Sequence, residues 1–153
     1  MRFFKSIVAL LCVSGCAMVE SDDSVAFTSL VRGAQTGLGA TRVRVARSAA
    51  EWELLWNAHA SHALDAAPAP LVDFEHDMVV FVNDGQHPTS GWALEVTGAR
   101  VVAGELVLQA RVTAPAPELL QAQVISTPFE GIVTERNALP IRVEYERVTA
   151  QVR

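Results

Sequence analysis

The chain has 153 residues, half of them hydrophobic, with 17 acidic against 12 basic residues and a formal net charge of −5. That is one domain's worth of chain with ample apolar material for a core. An acidic chain without a basic patch excludes the electrostatic footprint of a nucleic-acid binder, and equally any attraction to anionic lipid headgroups.

The chain opens MRFFKSIVALLCVSGCAM. Arg2 and Lys5 form a positive n-region and Ile7 to Val13 an apolar core, too short for a permanent membrane span of roughly 20 apolar residues. Residues 1–15 therefore read as a secretory signal peptide. Its ending, Val-Ser-Gly-Cys, has the form of a bacterial lipobox. Ser14 and Gly15 are small enough for a peptidase to approach the backbone, and Cys16 offers the thiol that receives diacylglycerol. The expectation is a lipid-anchored protein of the bacterial cell envelope. Ala17, rather than Asp, after the cysteine resembles the pattern sent to the outer membrane in a Gram-negative cell. Processing would remove Cys12 and consume Cys16, which leaves no disulfide, thiolate metal site or cysteine nucleophile. Taking Arg2 and Lys5 from the 12 basic residues leaves 10, all arginine, against 17 acidic ones, a net charge of −7.

Residues 16–29, acidic and serine-containing, read as the lipidated cysteine and a flexible tether, and residues 30–150 as a single β-rich domain. After three glycines, Val43 and Val45 alternate with Arg42 and Arg44, the period of a half-buried strand. Ser48 to Glu51 fits a capping box. Trp52, Leu55, Trp56 and His59 follow at helical spacing, so an amphipathic helix is predicted, fading near Leu64. Pro68 and Pro70 then force an extended connection. From Met78 onward the pattern is β. Met78 to Val82 is a continuous apolar run, predicting a central strand buried on both faces. Trp92, Leu94 and Val96 alternate inward. The next two strands form a hairpin turning near Ala103 and Gly104, with Leu106, Leu108, Ala110 and Val112 on one face. LLQAQVIS, TPFEGIV and LPIRVEYERV are expected to supply further strands, with Ile141, Val143 and Tyr145 inward in the last. The fold class is α+β, a predominantly antiparallel sheet with one helix near its N-terminal side.

Chemistry is sparse. His59 and His62 are three apart, a spacing that suits a metal, but no third ligand stands at a recognisable distance and His59 lies on the apolar face. His76, among Asp73, Glu75 and Asp77, reads as a solvated strand entry, because the glycine and the later glutamate of a calcium loop are missing. Asp73, Asp77 and Asp84 suggest no cleft. Ser90 lacks the glycine of a nucleophile elbow, and GAQTGLG lacks the P-loop ending. The expectation is a protein that is not an enzyme and holds no metal or cofactor.

One stretch stands apart: GQHPTSGW, Gly85 to Trp92. Gly85 and Gly91 suit sharp turns, Pro88 pre-sets a turn angle, and Thr89 and Ser90 are placed to bond neighbouring amides. A plain strand connection explains these residues, and on the residues alone that reading is preferred. The functional reading is a pre-organised loop on a rigid sheet, with Gly85, His87, Pro88, Thr89, Ser90, Gly91 and Trp92 as candidate partner-binding residues.

Four motifs in order resemble the PrcB C-terminal domain family of protease-complex lipoproteins. They are Glu51, Trp52, Leu55 and Trp56 in a helix; Asp73 and Phe74 before a hydrophobic strand; Gly85, Pro88, Thr89, Gly91 and Trp92 in a turn; and Thr127, Pro128 and Phe129 in a late strand. Ser90 stands where the family commonly has glycine, and Trp92 where it commonly has tyrosine. The resemblance spans Leu30 to Val148 and implies a non-catalytic accessory module associated with a surface or secreted protease. HPTSGW is also similar to the Asn-Pro-Thr-Thr-Gly-aromatic loop of chagasin-type cysteine-protease inhibitors. Here His87 replaces the asparagine, and that family's Arg-Pro-aromatic loop is missing. Inhibition through the loop is the alternative reading, and a structural envelope lipoprotein without a protease partner is a third.

Overall fold

The computed structural model describes residues 23–40, 43–64 and 67–151. The expected signal peptide, Cys16 and the first part of the tether lie outside the described residues. Eight strands and one helix follow in the order β1 (Asp23–Ser24), β2 (Phe27–Gly33), β3 (Val43–Ala46), α1 (Ala49–Ala60), β4 (Asp77–Asn83), β5 (Ala93–Val102), β6 (Glu105–Ala114), β7 (Phe129–Glu135) and β8 (Ile141–Thr149). They build two four-stranded sheets, ordered β1-β5-β6-β8 and β2-β7-β4-β3. The α+β, predominantly antiparallel class is borne out, with two sheets where the sequence suggested one.

The molecule has three layers because β4 must bury both of its faces. Met78, Val80 and Val82 point between the sheets, where they meet Leu94, Val96, Leu106, Leu108, Ala110, Val112 and Ile132. Val79 and Phe81 point the other way, against Trp52, Leu55, Trp56 and Phe129 beneath the helix. The unbroken apolar run 78–82 is the sequence image of this central position, since β3 and β7 flank β4 on either side. The helix starts at the expected Ser48 cap, though the returning glutamate bond reaches one residue further back than a capping box prescribes. Ser48 accepts from the Glu51 amide at 3.2 Å, and the Glu51 carboxylate takes the Arg47 amide, one residue before the cap. It ends at Ala60 rather than near Leu64.

The β5–β6 hairpin turns on Ala103 (φ 49°) and Gly104 (φ 80°), the paired left-handed conformations of a tight two-residue turn. Three expectations are corrected. LLQAQVIS forms no strand; its one ladder contact is the isolated bridge of Ser126 to His87. Its apolar residues come in adjacent pairs, Leu119–Leu120 and Val124–Ile125, and adjacent residues on a strand point to opposite faces, so no single face could have buried them. Strand pairing also begins at Asp23, inside the stretch read as tether: Asp23 pairs with Val101 and Phe27 with Thr134. Lastly, β8 runs parallel to β6. Parallel pairing needs a long crossover, and residues 115–140 supply one by passing through β7 in the opposite sheet.

Glu130, fully buried on β7, joins the sheets where they approach each other. Its carboxylate accepts from Ser29 at 2.6 Å and Arg32 at 2.9 Å on β2, and from the Val96 amide on β5. Val96 borders a register shift in the β5–β6 ladder, so its amide needs another acceptor, and Glu130 is that acceptor. Glu130→Ala leaves the guanidinium, the hydroxyl and the amide without their partner. It is expected to lower unfolding free energy by about 3 kcal/mol in urea titrations.

Candidate functional site

The Gly85–Trp92 loop leaves the end of β4 and enters β5. At its base sits Asp84, whose side chain is fully buried. Both Asp84 oxygens receive the Arg147 guanidinium of β8 at 2.8 Å, a two-pronged ion pair that holds the Arg147 pKa above its ordinary value. His87 Nε2 donates to the same carboxylate at 3.0 Å. The His87 ring lies flat on Trp92, centroids 3.8 Å apart and planes 13° from parallel. Trp92 Nε1 in turn donates to the Thr89 hydroxyl at 3.3 Å. The loop thus closes on itself through an unbroken series of contacts from Asp84 to Thr89.

Its outer side is tied to residues 115–126. His87 and Ser126 exchange backbone hydrogen bonds of 2.8 and 3.0 Å, and the Ser126 hydroxyl donates to the Thr89 carbonyl at 2.7 Å. The Ser90 amide donates to the Ala122 carbonyl at 3.0 Å, while the Ser90 hydroxyl accepts from the Ala122 amide at 3.1 Å. Gly91, at φ 89°, lies so close to this segment that a Cβ would stand 2.6 Å from Gln121 Oε1 and 2.9 Å from Pro115. Gly85, at φ 82°, needs glycine for its backbone conformation alone. Of the candidate residues, Pro88 and Gly91 are exposed, while Gly85, His87, Thr89, Ser90 and Trp92 are half-buried. The polar side chains among them are engaged inside the protein.

What these bonds hold up went unnoticed in the sequence. Leu119, Leu120, Val124 and Ile125 are 53, 104, 53 and 58 % exposed. Four large aliphatic side chains within seven residues face solvent from a segment fixed by Ser90, Ser126 and a 2.6 Å bond from Gln35 to the Ile125 carbonyl. Solitary exposed leucines are ordinary, but a fixed aliphatic ridge is a mark of interaction surfaces. The doubled apolar pairs of LLQAQVIS, unsuited to a one-sided strand, were its available signal. Asp84 and Arg147 gave none, being 63 residues apart.

The other candidates lie elsewhere. His59 is buried, its Nδ1 3.0 Å from the Thr36 hydroxyl, among Trp56, Phe81 and Phe129. Burial first, and neighbouring His62 second, push its pKa down to about 4. A neutral imidazole inside an aromatic cluster is a packing residue. Asp73, Glu75 and His76 come together at the exposed entry to β4, where a 2.7 Å Asp73–His76 contact raises the His76 pKa and lowers that of Asp73. Exposed acidic groups at a turn commonly cluster in this way without an ion.

With this geometry in view, the relationship to known proteins is specific. Residues 78–135 match the family described as PrcB C-terminal. Over that stretch the chain is similar to the PrcB C-terminal family. The matched stretch runs from β4 through the loop, the hairpin and the ridge to the end of β7, so the resemblance read from the sequence is borne out there. The Glu51–Trp56 helix motif and Asp73–Phe74 precede it. No curated protein and no solved structure matches the chain.

Two outcomes follow from the charges. Arg147→Ala leaves the buried Asp84 carboxylate with His87 alone. Because Arg147 is half exposed, the expected loss is about 1–3 kcal/mol, read by chemical denaturation, with His87 and Trp92 resonances broadened. His59, whose folded pKa lies below its unfolded value near 6.5, takes up a proton in the unfolded chain first. Its contribution is complete above pH 6.5 and is lost as pH falls toward 4. Stability should drop by about 2 kcal/mol across that window in the wild type, and this component should vanish in His59→Phe.

Proposed function

We propose that the protein is a lipid-anchored bacterial envelope module, non-catalytic, that binds a protease and uses the Leu119–Ile125 ridge as its contact. The observation that carries this reading is the presentation of four aliphatic side chains on a backbone already fixed by the Gly85–Trp92 loop. Apolar groups held in place before binding lose little conformational entropy on docking. The PrcB C-terminal match supports association with a protease complex, and the exclusion of a basic patch leaves protein as the natural partner class.

Anchor geometry supports the same reading. A lipid at Cys16 would reach the domain through seven residues, at most about 25 Å of chain. That chain enters at Asp23, which pairs with Val101 beside the β5–β6 turn. The Gly85–Trp92 loop and the ridge belong to the opposite end of these strands, where Ala93 pairs with Thr113. Ten residues of β5 separate the two ends by about 30 Å. An anchored domain would hold its ridge away from the bilayer, toward a partner.

Inhibition by insertion of HPTSGW into an active-site cleft asks more of the loop, since Thr89, Ser90, His87 and Trp92 would have to leave internal contacts to meet a protease. The test is crosslinked capture of the native protein from its own membranes, comparing wild type, Leu120→Glu/Val124→Glu and Thr89→Ala/Ser90→Ala. The expected result is a protease enriched with wild type and reduced at least about tenfold with the glutamate pair, while thermal stability stays unchanged. Equal recovery of that protease by the glutamate pair would sink the ridge as the contact. Adding the purified domain to the captured protease then separates helper from inhibitor by the direction in which turnover moves.

A further inference from the structure

A second apolar feature lies between α1 and the strap Ala67–Val72. Trp52 and Trp56 stand one helical turn apart with ring centroids 5.3 Å apart. Each donates its indole N–H to a strap carbonyl: Trp52 to Pro70 at 2.9 Å and Trp56 to Ala67 at 2.8 Å. The carbonyls are three residues apart, one turn of a polyproline helix. Pro68 and Pro70 fix their own φ and keep Ala67 and Ala69 extended, so the strap is pre-shaped for that helix. It runs antiparallel to α1. Tryptophans that grip the carbonyls of an extended proline segment are a general means of binding proline-rich peptides, and this chain applies it to itself.

A half-open cleft of about 470 Å³ lies along the strap and the helix, lined by Trp52, Glu53, Trp56, Pro68, Pro70 and Phe74, among others. Ala67 and Ala69 bring only methyl groups to its wall, Ala69 also packing against the core beneath the helix, and Leu71 is fully exposed. Among the described residues, Glu53 is the one charged residue on the cleft wall. It neighbours Trp52, the tryptophan that meets Pro70, and so stands at the end of the groove where the strap continues past its second proline.

We propose that the Trp52–Trp56 groove is a binding site for proline-rich peptides, held in the free protein by the Ala67–Pro70 strap as a low-affinity self-ligand. The ligand is an extended segment with the strap's carbonyl spacing, large aliphatic side chains in place of Ala67 and Ala69, and a basic residue after the second proline to meet Glu53. Such a peptide makes the two indole hydrogen bonds that the strap makes and fills the volume that the strap leaves empty. The strap competes with it, so the apparent affinity is lowered by the fraction of time the groove is free. This site shares no residue with the ridge and stands or falls separately from it.

The test uses the full chain, 15N-labelled, titrated with acetyl-Leu-Pro-Leu-Pro-Arg-Arg-amide while the three tryptophan indole resonances are followed. The Trp52 and Trp56 signals should shift saturably while Trp92 stays still. A Pro68→Ala/Pro70→Ala strap, less pre-shaped for its seat, should tighten binding by about threefold or more. Glu53→Gln should abolish any preference for the arginine-bearing peptide over one ending in two glutamines. If neither the wild type nor the strap variant shows saturable Trp52 and Trp56 shifts, the site does not exist. Equal binding of Leu-Ala-Leu-Ala-Arg-Arg would also overturn the proposal, because the groove would then be a general apolar surface with no use for proline.

Discussion

The buried carboxylate of Asp84 is the constraint on which one end of the molecule depends. It sits at the point where the central strand β4 stops, and a charge there must be paired or it cannot remain in the interior. Arg147 supplies the pair from β8, a strand of the other sheet, and His87 supplies a second donor from the loop. Satisfying one carboxylate therefore fixes the loop to β4 and couples the two sheets at the same spot. Tyr145, two residues before Arg147, adds a 3.0 Å bond to the Asn83 carbonyl. Everything beyond the loop follows from that anchorage, since His87 positions Ser126 and Trp92, and Thr89 and Ser90 then position the ridge-bearing segment.

Glu130 plays the corresponding part between the two sheets, and the two acids share a logic. Each takes an arginine together with at least one further donor, at a place where backbone pairing is irregular or ends. Sheets packed face to face are held mainly by non-directional apolar contact, which leaves their relative slide poorly specified. A buried acid that accepts from both sheets specifies it: Glu130 receives Ser29 and Arg32 from its own sheet and Val96 from the other. Polar residues that look misplaced in a buried strand are here the ones that set alignment.

Much of this was readable before any coordinates. The apolar run at Met78 to Val82, the alternation through Leu106 to Val112, the Ser48 cap and the turn at Ala103 and Gly104 each state a local rule, and the structure obeys them. What stayed hidden was long-range. Nothing in the neighbourhood of Asp84 announces Arg147, and Glu130 in a strand reads as solvent-facing until Arg32 and Val96 are placed around it. The parallel course of β8 depends on where residues 115–140 travel, which local periodicity does not encode. The failed strand is more instructive. Segment 119–126 is apolar enough to suggest burial, but its doubled pattern has no strand face, and the structure resolves the conflict by leaving the aliphatic groups in water. A local rule broken without compensation inside the domain is where a partner should be sought.

The same reasoning separates the two roles a signature stretch can have. Glycine and proline in the Gly85–Trp92 loop are required by backbone angles and by the closeness of Gln121 and Pro115, so their presence alone carries no evidence of contact with anything outside. Their effect is nevertheless directional. A loop whose His87, Thr89, Ser90 and Trp92 side chains are engaged internally makes a rigid shelf, and a rigid shelf lets an adjoining segment hold apolar groups in solvent without collapsing onto the surface. The Ala67–Pro70 strap is held differently, by two indole hydrogen bonds beside a half-open cleft. One face is fixed and presents side chains; the other is loosely filled and offers a groove. The two surfaces differ in construction as the two proposed contacts require, a fixed one for a folded partner and a groove for an extended peptide.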